Sequence, residues 1–415
     1  MREMKDSGIE WIGDIPKNWN MSKIGSLYTQ RNEKVSDKEY QPLSVTMQGV
    51  LPQLASAAKT DDGDNRKLVR VGDFAINSRS DRRGSCGISP LDGSVSLINI
   101  ILTPRTTMHP GYYDWLFHTT LFADEFYKWG HGIVADLWTT RWQEMKSICV
   151  PVPEYAEQKR ISEFLNSECA EIDAVLEKTH ASIDEYKKLK QAVITQAVTK
   201  GIRGNRPMKD SGSIWFGNIP VDWDMKKIKY LFHIKKDIAG QEGYTVLSIT
   251  QKGIVPKDLS KNEGQLAENY SHYQLVNPGD YAMNHMDLLT GWVDISKYTG
   301  VTSPDYRVFV LDDLESNNRS FYLYLMQMCY SNRIFYGLGQ GVSGMGRWRL
   351  QADKFLNFSI VVPSKDEQQE IADYLDAKCA EIDNLISKKE QYITEIENYK
   401  KSLIYEYVTG KKEVI

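Results

Sequence analysis

The sequence predicts an internally duplicated α+β protein. Two globular domains, residues 1–154 and 208–363, are each followed by a long helix, and the helices are expected to pair as an antiparallel coiled coil with pseudo-two-fold symmetry. Three observations carry this expectation. The first half of the 415-residue chain recurs in the second. Short alternating apolar runs between turn residues mark strands in each globular part. Two long segments carry a narrow apolar seam at helical spacing.

The duplication comes first because it sets the architecture. Residues 4–27 recur at 208–231 without a gap: Trp11, Gly13, Ile15, Pro16, Trp19, Met21, Lys23 and Ile24 return as Trp215, Gly217, Ile219, Pro220, Trp223, Met225, Lys227 and Ile228. The same offset carries Tyr40, Leu43, Ser44, Thr46, Gly49 and Pro52 onto Tyr244, Leu247, Ser248, Thr250, Gly253 and Pro256. After small insertions, Gly72-Asp73-Phe74-Ala75-Ile76-Asn77 matches Gly279-Asp280-Tyr281-Ala282-Met283-Asn284. Glu157-Gln158, Ile161, Leu165 and Cys169-Ala170-Glu171-Ile172-Asp173 match Glu367-Gln368, Ile371, Leu375 and Cys379-Ala380-Glu381-Ile382-Asp383.

Within the globular parts, residues 43–46, 246–250, 94–102 and 306–311 alternate like strands, and Gly72-Asp73 and Pro278-Gly279-Asp280 punctuate turns. One helix is expected in each part, over residues 112–129 and 319–336. The first long helix and its linker occupy 155–207, with apolar Ile161, Leu165, Ile172, Val175, Ile183, Tyr186, Val193 and Ala197. The second occupies 364–415, with Leu375, Cys379, Ile382, Ile386, Ile393, Ile396, Leu403 and Tyr407. Steps of three, four and seven place these residues on one stripe, and Gly201 and Gly410 are positioned to end the helices. A narrow seam on each helix calls for a partner, which the duplication supplies.

Composition excludes some classes. No run approaches eighteen apolar residues, so a membrane span is not expected. The opening Met1-Arg2-Glu3-Met4-Lys5-Asp6 lacks a signal-peptide core. Five scattered cysteines without a CxxC pair fit reduced thiols in a cytoplasm. Net charge is −4, and Lys+Arg against Asp+Glu runs 18 to 19 over residues 1–154 and 16 to 16 over 207–363. Neither domain is broadly basic, so any grip on nucleic acid must come from local clusters or from partners.

The arrangement resembles the DNA specificity subunits of type I restriction-modification enzymes. The residues that carry the resemblance are the opening Trp11-Ile12-Gly13-Asp14-Ile15-Pro16-Lys17-Asn18-Trp19 and its copy Trp215-Phe216-Gly217-Asn218-Ile219-Pro220-Val221-Asp222-Trp223. The helix entries add to it: Val150-Pro151-Val152-Pro153 with Glu157-Gln158, and Val361-Val362-Pro363 with Glu367-Gln368. The resemblance implies two target recognition domains, each reading half of a split sequence in double-stranded DNA. It implies helices that set the gap and dock two methyltransferase subunits, with motor-nuclease subunits joining for cleavage. It places S-adenosylmethionine, Mg²⁺ and ATP on those partners, with no cofactor, metal or catalytic centre on this chain.

The motif search agrees with that expectation. Asn277-Pro278-Gly279-Asp280 aligns with the turn Arg70-Val71-Gly72-Asp73 rather than forming a methyltransferase loop. There is no phosphate-cradling G-x-x-x-x-G-K-[ST]; Gly339-Gln340-Gly341-Val342-Ser343-Gly344 follows a helix rather than a strand and reads as a loop. Histidines and cysteines show no zinc spacing. Cys169 and Cys379 are expected as small apolar seam residues, and the paired tryptophans as packing residues.

DNA contacts are sought where the two copies diverge between matching flanks. One place is residues 78–83, with Arg79, Arg82 and Arg83, facing 285–290 in the second copy. The other is residues 131–142, with His131 and Arg141, facing 340–350 with Gln340, Ser343, Arg347 and Arg349. Arginine can hold guanine bidentately and glutamine can hold adenine. The competing reading is of surface loops that vary freely, or of arginines in surface ion pairs. Lys226, Lys227, Lys229, Lys235 and Lys236 are further candidates for phosphate contact or for a solvated face. Two other functions stay open: an adaptor or decoy that binds the methyltransferase without reading DNA, and a self-contained methyltransferase or nuclease, which the missing motifs disfavour.

Overall fold

A computed structural model of the chain describes residues 2–53, 63–132, 138–261, 267, 269–341 and 348–414. The chain divides into two compact units, Met1–His180 with Glu390–Ile415, and Ala181–Lys389. Each unit holds one globular domain, the first part of one long helix and the last part of the other.

In the first unit an antiparallel sheet runs in the order Cys86–Ile88, Phe74–Asn77, Asn99–Pro104, Tyr28–Arg31. Side chains alternate across a strand, and this sheet is covered on both faces. Phe74, Ile76, Ile100 and Leu102 face the large core with the helical residues Tyr113, Phe117 and Phe122. Ala75 and Ile101 face a smaller cluster with Leu43, Val50, Val69 and Val95. The second unit repeats the design in its sheet Phe232–Lys235, Arg307–Leu311, Tyr281–Met283, Val293–Ile295. There Tyr281, Met283, Phe309 and Leu311 face the large core, and Ala282 and Val308 the small one.

Three expectations are corrected. Residues 94–102 form two strands in different sheets, Gly93–Val95 and Asn99–Pro104, separated by a turn in which Asn99 N–H donates to Ser96 O at 3.1 Å. Residues 112–129 form two helices, Pro110–Phe117 and Thr120–Lys128, because the Thr119 hydroxyl accepts from Phe122 N and starts a new helix. Residues 319–336 break likewise into Arg319–Ser331 and Ile334–Leu338, with Arg333 left-handed at φ +56°.

The long helices are Tyr155–Lys200 and Lys365–Val408. They pack antiparallel in each unit. In the first, the Phe164 and Tyr407 rings lie 4.4 Å apart and Lys400 reaches Asp173 at 2.6 Å, so rising numbers on one helix meet falling numbers on the other. In the second, Lys389 sits over Tyr186 and Lys190 reaches Asp383 at 2.6 Å. The expected seam holds at Ile161, Leu165, Cys169, Ile183, Leu375, Cys379, Ile382, Ile393 and Leu403, all buried. It fails at Val175, which is 41% exposed, while Thr179 four residues on is buried. Gly201 and Gly410 end the helices at φ +76° and +72°, where a side chain would be strained.

Each helix is locked to its domain at its first turn. The strand Asn20–Lys23 pairs with Cys149–Val152, delivering the chain to Glu157. That carboxylate accepts from Trp19 Nε1 at 2.9 Å and from Arg2 Nη2 at 2.6 Å. Gln158 bridges two backbone groups, donating to Pro153 O and accepting from His109 N, both at 2.8 Å. The second copy is the same: Glu367, fully buried, accepts from Trp223 Nε1 at 2.9 Å and from both terminal nitrogens of Arg206. Gln368 bridges Pro363 O and Asn318 N. Of the four tryptophans of the repeat, Trp11, Trp19 and Trp223 are buried packing residues, with Trp19 and Trp223 fully enclosed, whereas Trp215 lies at the surface. The far helix ends close the cores, Leu403 and Val408 in the first unit and Ile194, Ala197 and Val198 in the second.

Arg206→Ala leaves the Glu367 carboxylate buried without its cation and is expected to cost the second unit about 3–5 kcal/mol. Asp222→Ala removes only the exposed partner of Arg206 and is expected to cost less than about 1 kcal/mol. Urea unfolding of the two variants, followed by tryptophan fluorescence, checks the contrast; equal small losses would show that Glu367 does not depend on the guanidinium.

Candidate nucleic-acid interface

In each unit the two divergent segments singled out by sequence lie side by side. In the first unit, Ser80 N–H donates to Trp138 O at 2.9 Å and Thr140 N–H donates to Ser78 O at 3.0 Å. Arg79 and His131 both form bridges with Thr139. The base of the 78–83 loop is held by Tyr127, whose hydroxyl donates to Asn77 O and Arg82 O. In the second unit, Leu350 N–H donates to His285 O at 3.0 Å and Leu288 N–H to Trp348 O at 3.2 Å. The ladder is the same one, built with different side chains.

Arg79, Arg82, Arg83, His131 and Arg141 are all exposed on the first unit. Their charges are not equally free. Arg83 is ion-paired with Asp124, Arg82 lies 3.8 Å from Asp81, and His131 Nε2 lies 4.0 Å from Glu144. Arg79 makes no ion pair among the described residues. Arg141 caps the short helix Trp142–Met145, its backbone N–H donating to Glu144 Oε2 at 3.0 Å, so its guanidinium is offered from a fixed backbone.

On the second unit, Gln340 pairs with Arg349 across the short ribbon Gln340–Gly341 and Trp348–Arg349. Gln340 is exposed and Arg349 half-buried. Ser343 and Arg347 lie outside the described residues. The ladder corrects one sequence correspondence. Trp138 and Trp348 make equivalent bonds, so Arg349 stands where the first unit has Thr139. Arg141 corresponds to Gln351, which likewise precedes a helix, Ala352–Asn357. Of the candidate lysines, Lys235 is committed to Asp280 at 2.7 Å, as Arg31 is to Asp73 in the first unit, while Lys226, Lys227, Lys229 and Lys236 are exposed.

Two residues that sequence reasoning left out of the candidate set stand out in the second unit. Arg307 is 5% exposed in a central strand, and His285 is 7% exposed at the start of the divergent loop. Both line a cavity of about 520 Å³ together with Arg349, Lys236, Tyr306 and Gln274. Burial, then the charges of Arg307 and Arg349, push the His285 imidazole down to about 3, so the ring is neutral at pH 7. Burial also brings the Arg307 guanidinium down to about 10. The signal was present in the repeat: strand register matches Met283–Arg307 with Ile76–Ile100, so a buried arginine replaces a buried isoleucine. Among the described residues no group of three or more histidine, cysteine or acidic side chains is placed to hold a metal ion, and no helix is long and apolar enough to cross a membrane.

Comparison with known proteins bears on what this surface belongs to. Residues 220–398 match the family model described as the type I restriction modification DNA specificity domain. The type I restriction enzyme MjaVIII specificity subunit of Methanocaldococcus jannaschii is 26% identical over 284 residues, covering 65% of this chain and 63% of that protein. The match thus spans somewhat under two thirds of that relative's length. A solved chain of a type I R-M system, described for its complex assembly and conformational transition, aligns with a TM-score of 0.70 at 13% identity. It covers 96% of this chain and 99% of that one. The crystal structure of the HsdS subunit from Thermoanaerobacter tengcongensis aligns with a TM-score of 0.51 at 14% identity, covering 96% and 98%. The two structural likenesses show the fold; in sequence, residues 220–398 are similar to the type I restriction modification DNA specificity domain, and the chain is similar over 284 residues to a type I restriction enzyme specificity subunit.

Proposed function

We propose that the chain is the sequence-specific DNA recognition subunit of a type I restriction-modification assembly, with each unit reading one half of a bipartite target. The observation that carries this reading is the shared ladder: in both units the two segments where the copies diverge are joined by the same backbone bonds into one surface. A duplicated scaffold that reads two different half-sites needs that combination of fixed backbone and changed side chains. Arg79, Arg82 and Arg141 in the first unit, and Gln340 and Arg349 in the second, are the exposed or half-exposed groups able to meet base edges or phosphates.

In this reading the chain does no bond chemistry. The methyl donor S-adenosylmethionine, and Mg²⁺ and ATP for cleavage, belong to two methyltransferase subunits and to motor-nuclease subunits, and the assembly works in the bacterial cytoplasm. The near-neutral charge of both domains supports a division of labour in which partners supply much of the phosphate contact.

Two outcomes test it. The purified chain is expected to bind duplex DNA weakly, because few cations release few counterions, and to bind strongly once the methyltransferase is added. Nanomolar target affinity by fluorescence anisotropy for the chain alone, at moderate salt, would contradict the division of labour. Second, alanine at Arg79 and Arg82 should relax discrimination in one half-site only, and alanine at Gln340 in the other, each by about 1–3 kcal/mol per lost bidentate contact. Arg83→Ala should do less, since Asp124 already holds that charge. Methylation mapping on a library of randomised targets gives the readout; uniform weakening on all sequences would mark these residues as phosphate contacts.

A further inference from the structure

Arg307 poses a question of charge balance. It is buried in a strand, yet among the described residues no carboxylate lies within ion-pair distance of it. Its Nη2 donates to Leu350 O at 2.9 Å, its Nη1 lies 3.8 Å from Met283 Sδ, and its guanidinium sits 5.0 Å from the centroid of the Phe355 ring. These contacts leave the positive charge uncompensated, and buried charges are ordinarily paired.

The neighbours make the imbalance larger. Arg349 lines the same cavity with its Nε buried and without a hydrogen-bond partner among the described residues, and the buried Nδ1 of His285 is equally unpartnered. Lys236 stands exposed at the rim, and among the described residues neither it nor Arg349 has a carboxylate partner. Arginine has only donors to offer. What fits against these groups is a ligand rich in acceptors and negative in charge.

The first unit shows that the fold does not require this arrangement. By strand register and the loop ladder, Arg307, His285 and Arg349 occupy the places of Ile100, Ser78 and Thr139. The first unit does keep one cation nearby, Lys67 at the place of Gln274. Its Nζ is bonded to Asn99 O at 2.7 Å, and Gln274 Nε2 repeats that bond to Tyr306 O at 2.8 Å. Three neutral residues have thus become two arginines and a histidine around one cavity, and among the described residues no carboxylate lines it.

We propose that this cavity is an anion site for a phosphate group, and specifically that it seats a backbone phosphate of the DNA lying against the second unit. It rests on the reading of that unit as a DNA-contacting surface, and it adds a positioning site that the first unit lacks. His285 and Arg349 belong both to the cavity and to the ladder joining the divergent segments, so a phosphate held here would fix the duplex beside the reading loop without itself reading sequence. A phosphate would also offset the charges of Arg307 and Arg349 that, after burial, hold the His285 imidazole down.

The test uses the full chain. Inorganic phosphate is titrated against chloride at matched ionic strength while the imidazole NMR signals are followed, with His285→Ser assigning the His285 resonance. Saturable movement of that signal and a raised Tm are expected. The swap H285S/R307I/R349T, which installs the first unit's residues, should abolish both. If the swap fails to fold, judged by circular dichroism, R349T alone serves and should weaken the response. A duplex carrying the target, with methyltransferase present, should move the same signal. The salt dependence of its affinity, plotted as log K against log salt, should lose about one from its slope in the variant, with half-site preference unchanged. No response to phosphate, or an unchanged salt slope, would overturn the proposal. A phosphate response with no response to DNA would assign the cavity to a free phosphate compound and overturn the DNA assignment. Failure of the wild-type assembly to bind DNA at all would instead remove the functional reading, leaving the phosphate result to stand separately.

Discussion

Both globular domains depend on one buried carboxylate, Glu157 in the first unit and Glu367 in the second. Each lies in the first turn of a long helix, where unpaired backbone N–H groups and the positive end of the helix dipole favour negative charge. Each takes the indole N–H of a buried tryptophan and the guanidinium of an arginine. A carboxylate in such a place is costly unless its oxygens are satisfied, so the clamp forms as a whole or not at all. It ties the segment before the domain, the domain core and the helix into one object. Arg2 and Arg206 share the 204-residue offset of the repeat, and so the repeat unit includes its own clamp residue ahead of the aligned opening.

The adjacent glutamine finishes the task. Gln158 and Gln368 each satisfy the carbonyl of the proline that precedes the helix and the amide at the entry to the domain's main helical region. The motif Glu-Gln that marks both helix entries in the sequence is therefore a fastening of helix to domain, with both side chains turned inward. The residues that follow differ in charge between the copies, Lys159-Arg160 in the first and Gln369-Glu370 in the second, and lie outside it. Glu370 is held by Arg203 of the linker at 2.8 Å, so part of the charge difference between the two copies is internal to this chain.

Between the long helices, stability comes from the seam rather than from the ion pairs across it. Asp173–Lys400 and Asp383–Lys190 are largely exposed, and such pairs contribute little. Their equivalence, an aspartate at one position of the repeat meeting a lysine of the other helix, serves register better than energy. The seam cysteines fit the same account. Burial raises the thiols of Cys169 and Cys379 above their ordinary range, which makes them inert packing groups.

The sequence by itself determined the duplication, the two long helices with their glycine stops and most of their seam, the strand-rich domains and the location of the divergent loops. These are properties of spacing and repetition, which survive without knowledge of neighbours. It did not determine where a helix is interrupted, because Thr119 ends one helix and caps the next through bonds whose alternatives are equally local. It mistook Val175 for a seam residue, since the contact there is decided by the opposing helix. The tertiary structure alone decided that the two divergent segments of each unit share one ladder, that Arg349 answers to Thr139 and Arg141 to Gln351, and that Arg83 is spent on Asp124. It alone turned Arg307 from an ordinary strand residue into a buried charge without a counter-charge. Charge balance is a property of everything within a few ångströms, and sequence order does not say what lies there.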